Sequence, residues 1–498
     1  MTILAIDLGT TTVKVSLFAD NMAVIDSAHE RVNTVTGAGG LATQDASDWL
    51  EIIGRNCAGI RASYPQEMLD VAGIAVTGHM MGCLPVDRAG RPLADHMLHS
   101  DTRARSQYDR IEALIGSDNF YYLTGNILSA ASVLAKILWF RDNHPDLYNK
   151  TACFLNAKDY ISGFLTSCFN KTDYSDASHA GLINISTRKY PQELFNELDL
   201  DINKMPELHA GTDQIGSLSE SAAKFLGINS GIPVMAGSGD GACSAIGSAA
   251  GSLGDIYCCM GTTAWIAAVN DKPIFDKHRR SFNIITADGS AVSTYGTTQN
   301  CGRSTDFAQR FFAIPNMRDF DELAASAPAG SDNLIFLPYL DGERSPIYDP
   351  DTQGVFFGLN KKHGREHGLR SILEGVAFAL RHIAEVHREN GIAINRVSLI
   401  GGGGRSEIWR QILASTIPAE IIRVDVPSED ATTLGAAIIA GTGAGLFGSI
   451  QQGLKYIKEI EATAPEAKWV PVYDRLFEIY SGLYPALRSS HKALAADK

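Results

Sequence analysis

The chain has 498 residues, 45% hydrophobic and 20% charged, a balance that excludes a disordered chain and a membrane-embedded one. Its length exceeds what one core holds and predicts two large domains or three small ones. A net charge of −13 argues against nucleic acid or an anionic membrane as principal partner, since either calls for a basic footprint.

The N-terminal residues are apolar and β-prone, and Val13, Val15 and Leu17 alternate with Lys14 and Ser16, so the chain opens on a hairpin. Its turn joins Asp7 to Gly9-Thr10-Thr11-Thr12. Gly9 admits close backbone approach, and the threonines add hydroxyls to a row of N–H groups that an anionic oxygen accepts from. Asp7 repels phosphate unless a divalent cation lies between them, which points to Mg²⁺. Taken alone, the stretch is equally a threonine-rich turn.

A third strand is expected over 22–27, then a helix capped by Asp45 or Ser47 with Trp49, Ile52, Ile53, Cys57 and Ile60 on one face. A buried strand at 71–77 runs into Gly78-His79-Met80-Met81-Gly82. The segment 98–103 follows, and helices dominate to about 166, including 131–143 and 157–165. Asp173-Tyr174-Ser175-Asp176 reads as an acidic turn. Ser219 and Gly227 bracket a helix; a strand at 231–236 enters Gly237-Ser238-Gly239-Asp240-Gly241 and a small-residue helix at 242–250. The domain boundary is placed here, giving 1–243 and 244–498, with room for the final helices to pack back on the first domain.

The second half repeats the opening: strand, Gly261-Thr262-Thr263, strand, within 255–269. Repetition at this spacing predicts two related halves, each presenting a phosphate-facing hairpin to a shared cleft. A strong helical face runs through Leu369, Ile372, Leu373, Val376, Leu380 and Ile383. A strand at 397–400 precedes Gly401-Gly402-Gly403-Gly404, Ser406 opens a helix, 432–440 is helical, and the last fifty residues read as helical.

The eight cysteines form no CxxC pair or zinc spacing, and the N-terminus shows no leader; a reduced cytoplasmic protein is expected. Neighbouring Cys258 and Cys259 should face opposite sides of a strand.

Four glycines between strand and helix suit a flexible loop, a dinucleotide turn or a floor beneath a base. Their late position argues against the dinucleotide turn, and two Gly-Thr-Thr hairpins favour one ATP with adenosine near Gly402 and Ser406. A plain N-cap explains Ser406 equally. Asp240, ringed by glycines at a helix start, is a cap or a general base, and alone the cap is the better reading. Phosphoryl transfer to an alcohol needs such a base and a cation; Asp240 and Asp7 are the best placed acids.

Together these motifs, with 337–346, 354–359 and Gly401 to Trp409, resemble the FGGY carbohydrate kinases from Ile3 to about Gly445. The resemblance implies a two-domain α/β actin/hexokinase-like (ribonuclease H-like) ATPase fold with a cleft between duplicated domains. It also implies ATP and Mg²⁺, and a small sugar, sugar acid or polyol as acceptor. It makes Asp240 the catalytic base, in contact with substrate, and Asp7 with Asp240 the metal-associated acids. ATP is expected at Thr10, Thr11, Thr12, Lys14, Gly261, Thr262, Thr263, Gly302, Asp306, Gly402, Gly403 and Ser406; the acceptor at His79, Met80, Met81, His99 and Asp101. The nearest look is to xylulokinases, which carry Gly-Gln-Met-His-Gly where this chain has residues 78–82 and Trp-Asn-Asp where it has His99-Ser100-Asp101. Losing a partner for a substrate hydroxyl is discriminating, so the departures weaken d-xylulose, and glycerol fits no better. A homodimer is expected, and the competing reading is a catalytically silent nucleotide sensor of the same fold.

Overall fold

In the computed structural model, which describes residues 1–427 and 429–496, the opening hairpin is the centre of the first sheet. Thr2–Leu8 (β1) is buried on both faces except at Asp7, which suits a central strand. It pairs antiparallel with Thr12–Ala19 (β2), Asp7 opposite Lys14, and β2 pairs with Val24–Arg31 (β3). Helix Ala46–Ser63 (α1), capped by Asp45, buries Trp49, Ile52, Ile53, Cys57 and Ile60 against this sheet. Val71–Gly78 (β4) lies parallel to β1. After helices Ala157–Thr166 (α2) and Tyr174–His179 (α3), the strands Gln214–Ser217 (β5) and Pro233–Met235 (β6) complete the order β5-β6-β4-β1-β2-β3. The short strand Ser238–Gly239 (β7) pairs with the end of β4 and leads straight into helix Asp240–Gly247 (α4).

The second half rebuilds this plan. Ile256–Met260 (β8) and Ala264–Asn270 (β9) form the second hairpin, and Phe282–Ile285 (β10) and Val292–Thr298 (β11) extend it antiparallel. After helices Gly302–Phe311 (α5) and Arg365–Glu389 (α6), Arg396–Ile400 (β12) lies parallel to β8. Helix Glu407–Thr416 (α7) leads to Glu420–Val424 (β13), parallel to β12. After helix Ala431–Gly443 (α8), Glu459–Thr463 (β14) closes the edge, and helix Val470–Ala495 (α9) follows. The order is β10-β11-β9-β8-β12-β13-β14. Each sheet is thus an antiparallel meander, two parallel additions and an antiparallel edge, and the predicted duplication is present as topology.

α4 and α8 lie between the sheets. Their apolar residues, Ala242, Ile246, Leu434 and Ile438 among them, share one core with Ile3, Phe18 and Ala75 of the first sheet and Tyr257, Ala267 and Ile400 of the second. The two helices touch backbone to backbone: a Cβ on Gly247 would stand 1.8 Å from the Ala431 carbonyl oxygen, and one on Gly435 2.0 Å from that of Cys243. Only glycine allows that approach. α9 stays with the second half, where Tyr473, Leu476 and Tyr480 pack under α6.

Three local readings are corrected. Residues 173–176 are no plain turn: Asp173 caps α3 and the acids are buried. The last fifty residues contain β14, a short edge strand with no fully buried residue and so no apolar face to betray it. The small-residue helix begins at Asp240, two residues before its apolar pattern. Cys258 and Cys259 do face opposite sides, and all eight thiols are free. Among the described residues no helix is long and apolar enough to cross a membrane.

Candidate active site

Asp7, Thr77 and Ser238 are mutual register partners on β1, β4 and β7, side by side at the ends of three parallel strands. Two residues past Ser238 the chain turns into α4, which places Asp240 at the first helical position. Gly239 is the cap and offers no side chain, so the capping alternative for Asp240 falls. Asp240 Oδ1 accepts from the N–H of Gly241 at 2.7 Å. Asp7 Oδ1 is buried and has no hydrogen-bond partner among the described residues.

Burial raises the Asp7 carboxyl to about 6, against the pull of Lys14. Asp240 is raised to about 7, first by burial and then by the negative charge of Asp7. Two acids that disfavour each other's ionisation, one with a bare oxygen, form a site that a hard cation relieves. Among the described residues no group of three or more His, Cys, Asp or Glu side chains is arranged to hold a metal alone.

The first turn is braced by side chains. Gln44 Nε2 donates to the Thr10 carbonyl at 2.8 Å, and Gln44 Oε1 accepts from Trp49 Nε1 at 2.9 Å. Thr11 is exposed, Thr10 and Thr12 half-buried. Lys14 does not stand free: its ammonium bonds Asp430 Oδ1 at 3.0 Å and the Glu429 carbonyl, tying β2 to the start of α8.

The second turn is braced by backbone. The N–H groups of Cys301 and Gly302, at the start of α5, donate to the carbonyls of Thr262 at 3.1 Å and Gly261 at 2.9 Å. A Cβ on Gly302 would lie 2.9 Å from the Gly261 oxygen, which explains the glycine there. Asp306 is exposed one turn along α5. The glycine run is likewise shaped by packing. Gly401 has φ 93° with its hydrogen against the Met260 backbone, and Gly403 lies against the Met260 side chain, whereas Gly402 faces open space. Ser406 is mostly buried and caps α7 by accepting from Trp409 N–H at 3.2 Å.

On the acceptor side, His79 is buried between Trp49 and His96. Its Nδ1–H donates to the Leu8 carbonyl at 2.7 Å, leaving Nε2 an acceptor with no partner. Burial drops it to about 4, so the ring is neutral at pH 7. His99 is half-buried and drops to about 3, chiefly through burial, with His79 and Arg344 adding to the effect. Met80 covers Gly239: a Cβ there would meet its sulfur at 2.5 Å. Met81 has a left-handed φ of 61°, and its carbonyl, with that of Leu98, accepts from the buried Lys136 ammonium at 2.8 and 2.7 Å. Asp101 is engaged within the protein. It has no exposed surface, and its oxygens accept from Ala42 N–H at 2.9 Å and from Arg103, so it anchors the loop.

Several residues escaped the sequence reading. Trp265, two positions after the second Gly-Thr-Thr, carries a buried indole N–H that meets no hydrogen-bond acceptor at full bonding geometry among the described residues. The Tyr257 hydroxyl donates to the Gly241 carbonyl at 2.8 Å and lies 3.3 Å from that of Tyr295. Phe282 stacks on Tyr295 at 5.5 Å and His179 on Phe282 at 5.1 Å, a row of rings leading away from Asp240. The charge of Arg344 adds to burial in holding His179 at about 4. Glu343 fixes the Arg344 loop by accepting from Thr298 Oγ1 and from the N–H groups of Gln299 and Arg344, each at 2.7 Å. Proximity of Trp265 to the turn motif was the one signal available; the rest are long-range contacts.

Residues 2–247 match the N-terminal domain of the FGGY family of carbohydrate kinases, and residues 256–444 its C-terminal domain. The chain is 31% identical over 496 residues to a xylulose kinase of Bacillus subtilis, covering 99% of this chain and 98% of that one. It is 27% identical over 506 residues to a gluconokinase of Bacillus licheniformis, covering 99% and 97%. A ligand-bound xylulose kinase from Lactobacillus acidophilus superposes with a TM-score of 0.92 at 26% identity, over 99% of both chains. Domain by domain and over its whole length, therefore, the chain belongs to the FGGY family of carbohydrate kinases.

Proposed function

We propose that this kinase transfers the γ-phosphoryl group of ATP to a hydroxyl of a small sugar, sugar acid or polyol, with Asp240 as general base. The observation that carries the assignment is the Asp240 carboxyl, raised to about 7 and faced by Asp7 at the ends of β1, β4 and β7. A base poised near the working pH takes the hydroxyl proton as the oxygen attacks. Thr10, Thr11 and Thr12 offer donors from one half and Gly261, Thr262 and Thr263 from the other. Gly302 lets α5 approach the second turn, and Asp306, Gly402, Gly403 and Ser406 border the adenosine side. Lys14 acts by holding α8 to β2. Mg²⁺ held by Asp7 and Asp240 would neutralise phosphate charge that these acids otherwise repel.

The acceptor lies against Met80, Met81 and Trp265, with the neutral His79 and His99 as hydrogen-bonding groups and Arg344 beyond them. Arg344 makes no ion pair among the described residues, which suits an anionic or hydroxyl-rich far end. This supports a sugar or sugar acid, in keeping with the xylulose kinase and gluconokinase relatives. We assign the protein to the cytoplasm on its eight free thiols. The division at 243/244 and assembly as a homodimer belong to the same reading; light scattering tests the latter. The decisive experiment measures ADP release with a panel of sugars, sugar acids and polyols, alongside a thermal-shift screen with an ATP analogue and Mg²⁺. At least one acceptor should raise ADP release and lose that effect in Asp240→Ala. A silent panel, or an Asp240→Ala enzyme that still responds, refutes the assignment.

A further inference from the structure

Lys158 and three aspartates form a charged knot sealed from solvent beneath the active site. Lys158 Nζ lies 2.5 Å from Asp159 Oδ1, 2.9 Å from Asp173 Oδ1 and 3.3 Å from Asp176 Oδ2, and none of the four side chains is more than 3% exposed. One cation against three buried acids is an arrangement that well-packed hydrophobic residues often replace without loss of stability, so it is weak evidence for a purely stabilising role. Burial and neighbouring charge push the Asp159 and Asp176 carboxyls up, while the three acids hold Lys158 charged.

Two arms leave the knot. In the first, Asp173 Oδ2 accepts from Ser238 Oγ at 3.0 Å, Ser238 Oγ bonds Ser175 Oγ at 2.7 Å, and Ser175 Oγ accepts from Gly239 N–H at 2.9 Å. Gly239 immediately precedes Asp240. In the second, Asp176 Oδ1 accepts from Asn156 Nδ2 at 2.9 Å. The same amide donates to the His79 carbonyl at 3.0 Å and accepts from Gly82 N–H at 3.2 Å, gripping both ends of the loop that carries Met80 and Met81. Asp159 locks the base of this arm by accepting from Thr172 Oγ1 and Asn156 N–H at 2.9 and 3.2 Å.

We propose that the Lys158 knot is a positioning unit that sets the short strand leading into Asp240 and the loop 78–82 at a fixed separation, so that base and acceptor meet in register. The inference rests on the kinase reading for what is positioned, while the positioning itself has an independent readout. Ser238 and Asn156 are positioning residues of separate arms, and removing each should disturb one side only.

The test uses the full-length protein, with amide hydrogen exchange as the acceptor-free measurement. In Ser238→Ala, exchange over 238–241 should rise about tenfold with 79–82 unchanged; in Asn156→Ala the pattern should reverse. With ATP, Mg²⁺ and whichever of D-xylulose, D-gluconate or glycerol turns over fastest, Ser238→Ala should lower kcat about tenfold with acceptor KM within twofold. Asn156→Ala should raise acceptor KM about tenfold with ATP KM unchanged, and Ser238→Thr should restore kcat. Equal acceleration of both segments, no acceleration of either, or kinetic losses that merely follow the fraction of folded enzyme overturn the proposal. If wild type turns over none of the three, hydrogen exchange alone decides it, and the kinase reading stands or falls on the wider acceptor panel.

Discussion

The two turn hairpins share a topology and differ in what they supply. The first carries Asp7 before its turn and Lys14 after it, and is braced by Gln44 and Trp49. The second has no charged side chain anywhere from Ile256 to Val269, and is braced by the backbone of residues 301 and 302. One half therefore places charge, while the other supplies neutral donors on a rigid frame. A duplicated fold lets these roles separate, because each copy keeps the strand geometry while its turn residues change.

This asymmetry is open to test. The largest effect is expected on the charged side: Asp240→Asn should lower kcat by about 10²–10⁴-fold, with ATP KM changed little, in steady-state assays. Asp7→Asn should cost about 10²-fold in kcat and raise the Mg²⁺ concentration needed for half-maximal rate. A hydroxyl deletion in the second hairpin that cost as much as Asp7→Asn would break the division of roles. Gly302→Ala pushes a methyl to within 2.9 Å of the Gly261 oxygen and should raise ATP KM about tenfold, an effect of the size of one charge-assisted hydrogen bond.

The smallest effects concern protons. With the Asp240 carboxyl raised to about 7, kcat/KM should climb with pH and level off above about 7. The same group weakens the fold at neutrality. Its folded pKa exceeds its unfolded one, so between about pH 4 and 7 the native state binds more protons, and stability falls as pH rises through that window. Asp240→Asn removes this loss and should melt about 2–4 °C higher at pH 7.5, with no gain at pH 4, by calorimetry.

The sequence disclosed most where physics is local. Apolar spacing located α1 and α6, and the repeated Gly-Thr-Thr turns announced the duplication before any coordinate. Charge partners were invisible wherever they were distant. Lys14 reads as a phosphate ligand, and nothing near it in sequence discloses its bond to Asp430, 416 residues away. Asp173 and Asp176 read as a turn because Lys158 lies outside the window in which turns are judged. The glycines at 401 and 403 read as a ligand floor, and nothing local discloses that they also pack on Met260. His179 and Phe282 had no signal at all, since a stack between residues from two domains leaves no trace in either stretch of sequence.

The placement of α8 bears on how the protein is made. The inner face of the first sheet, with Ile3, Phe18 and Ala75, shares its core with a helix that begins at Ala431, far downstream in the chain. While the intervening residues are synthesised, that face has lost one of its two covering helices, and the strands alone cannot hide it. The first sheet is thus a late-finishing unit although its strands are synthesised before α8. Stalled nascent chains ending before residue 431 should be cut by protease within β1 to β4 and bind a hydrophobic dye, and chains extended past 443 should resist both.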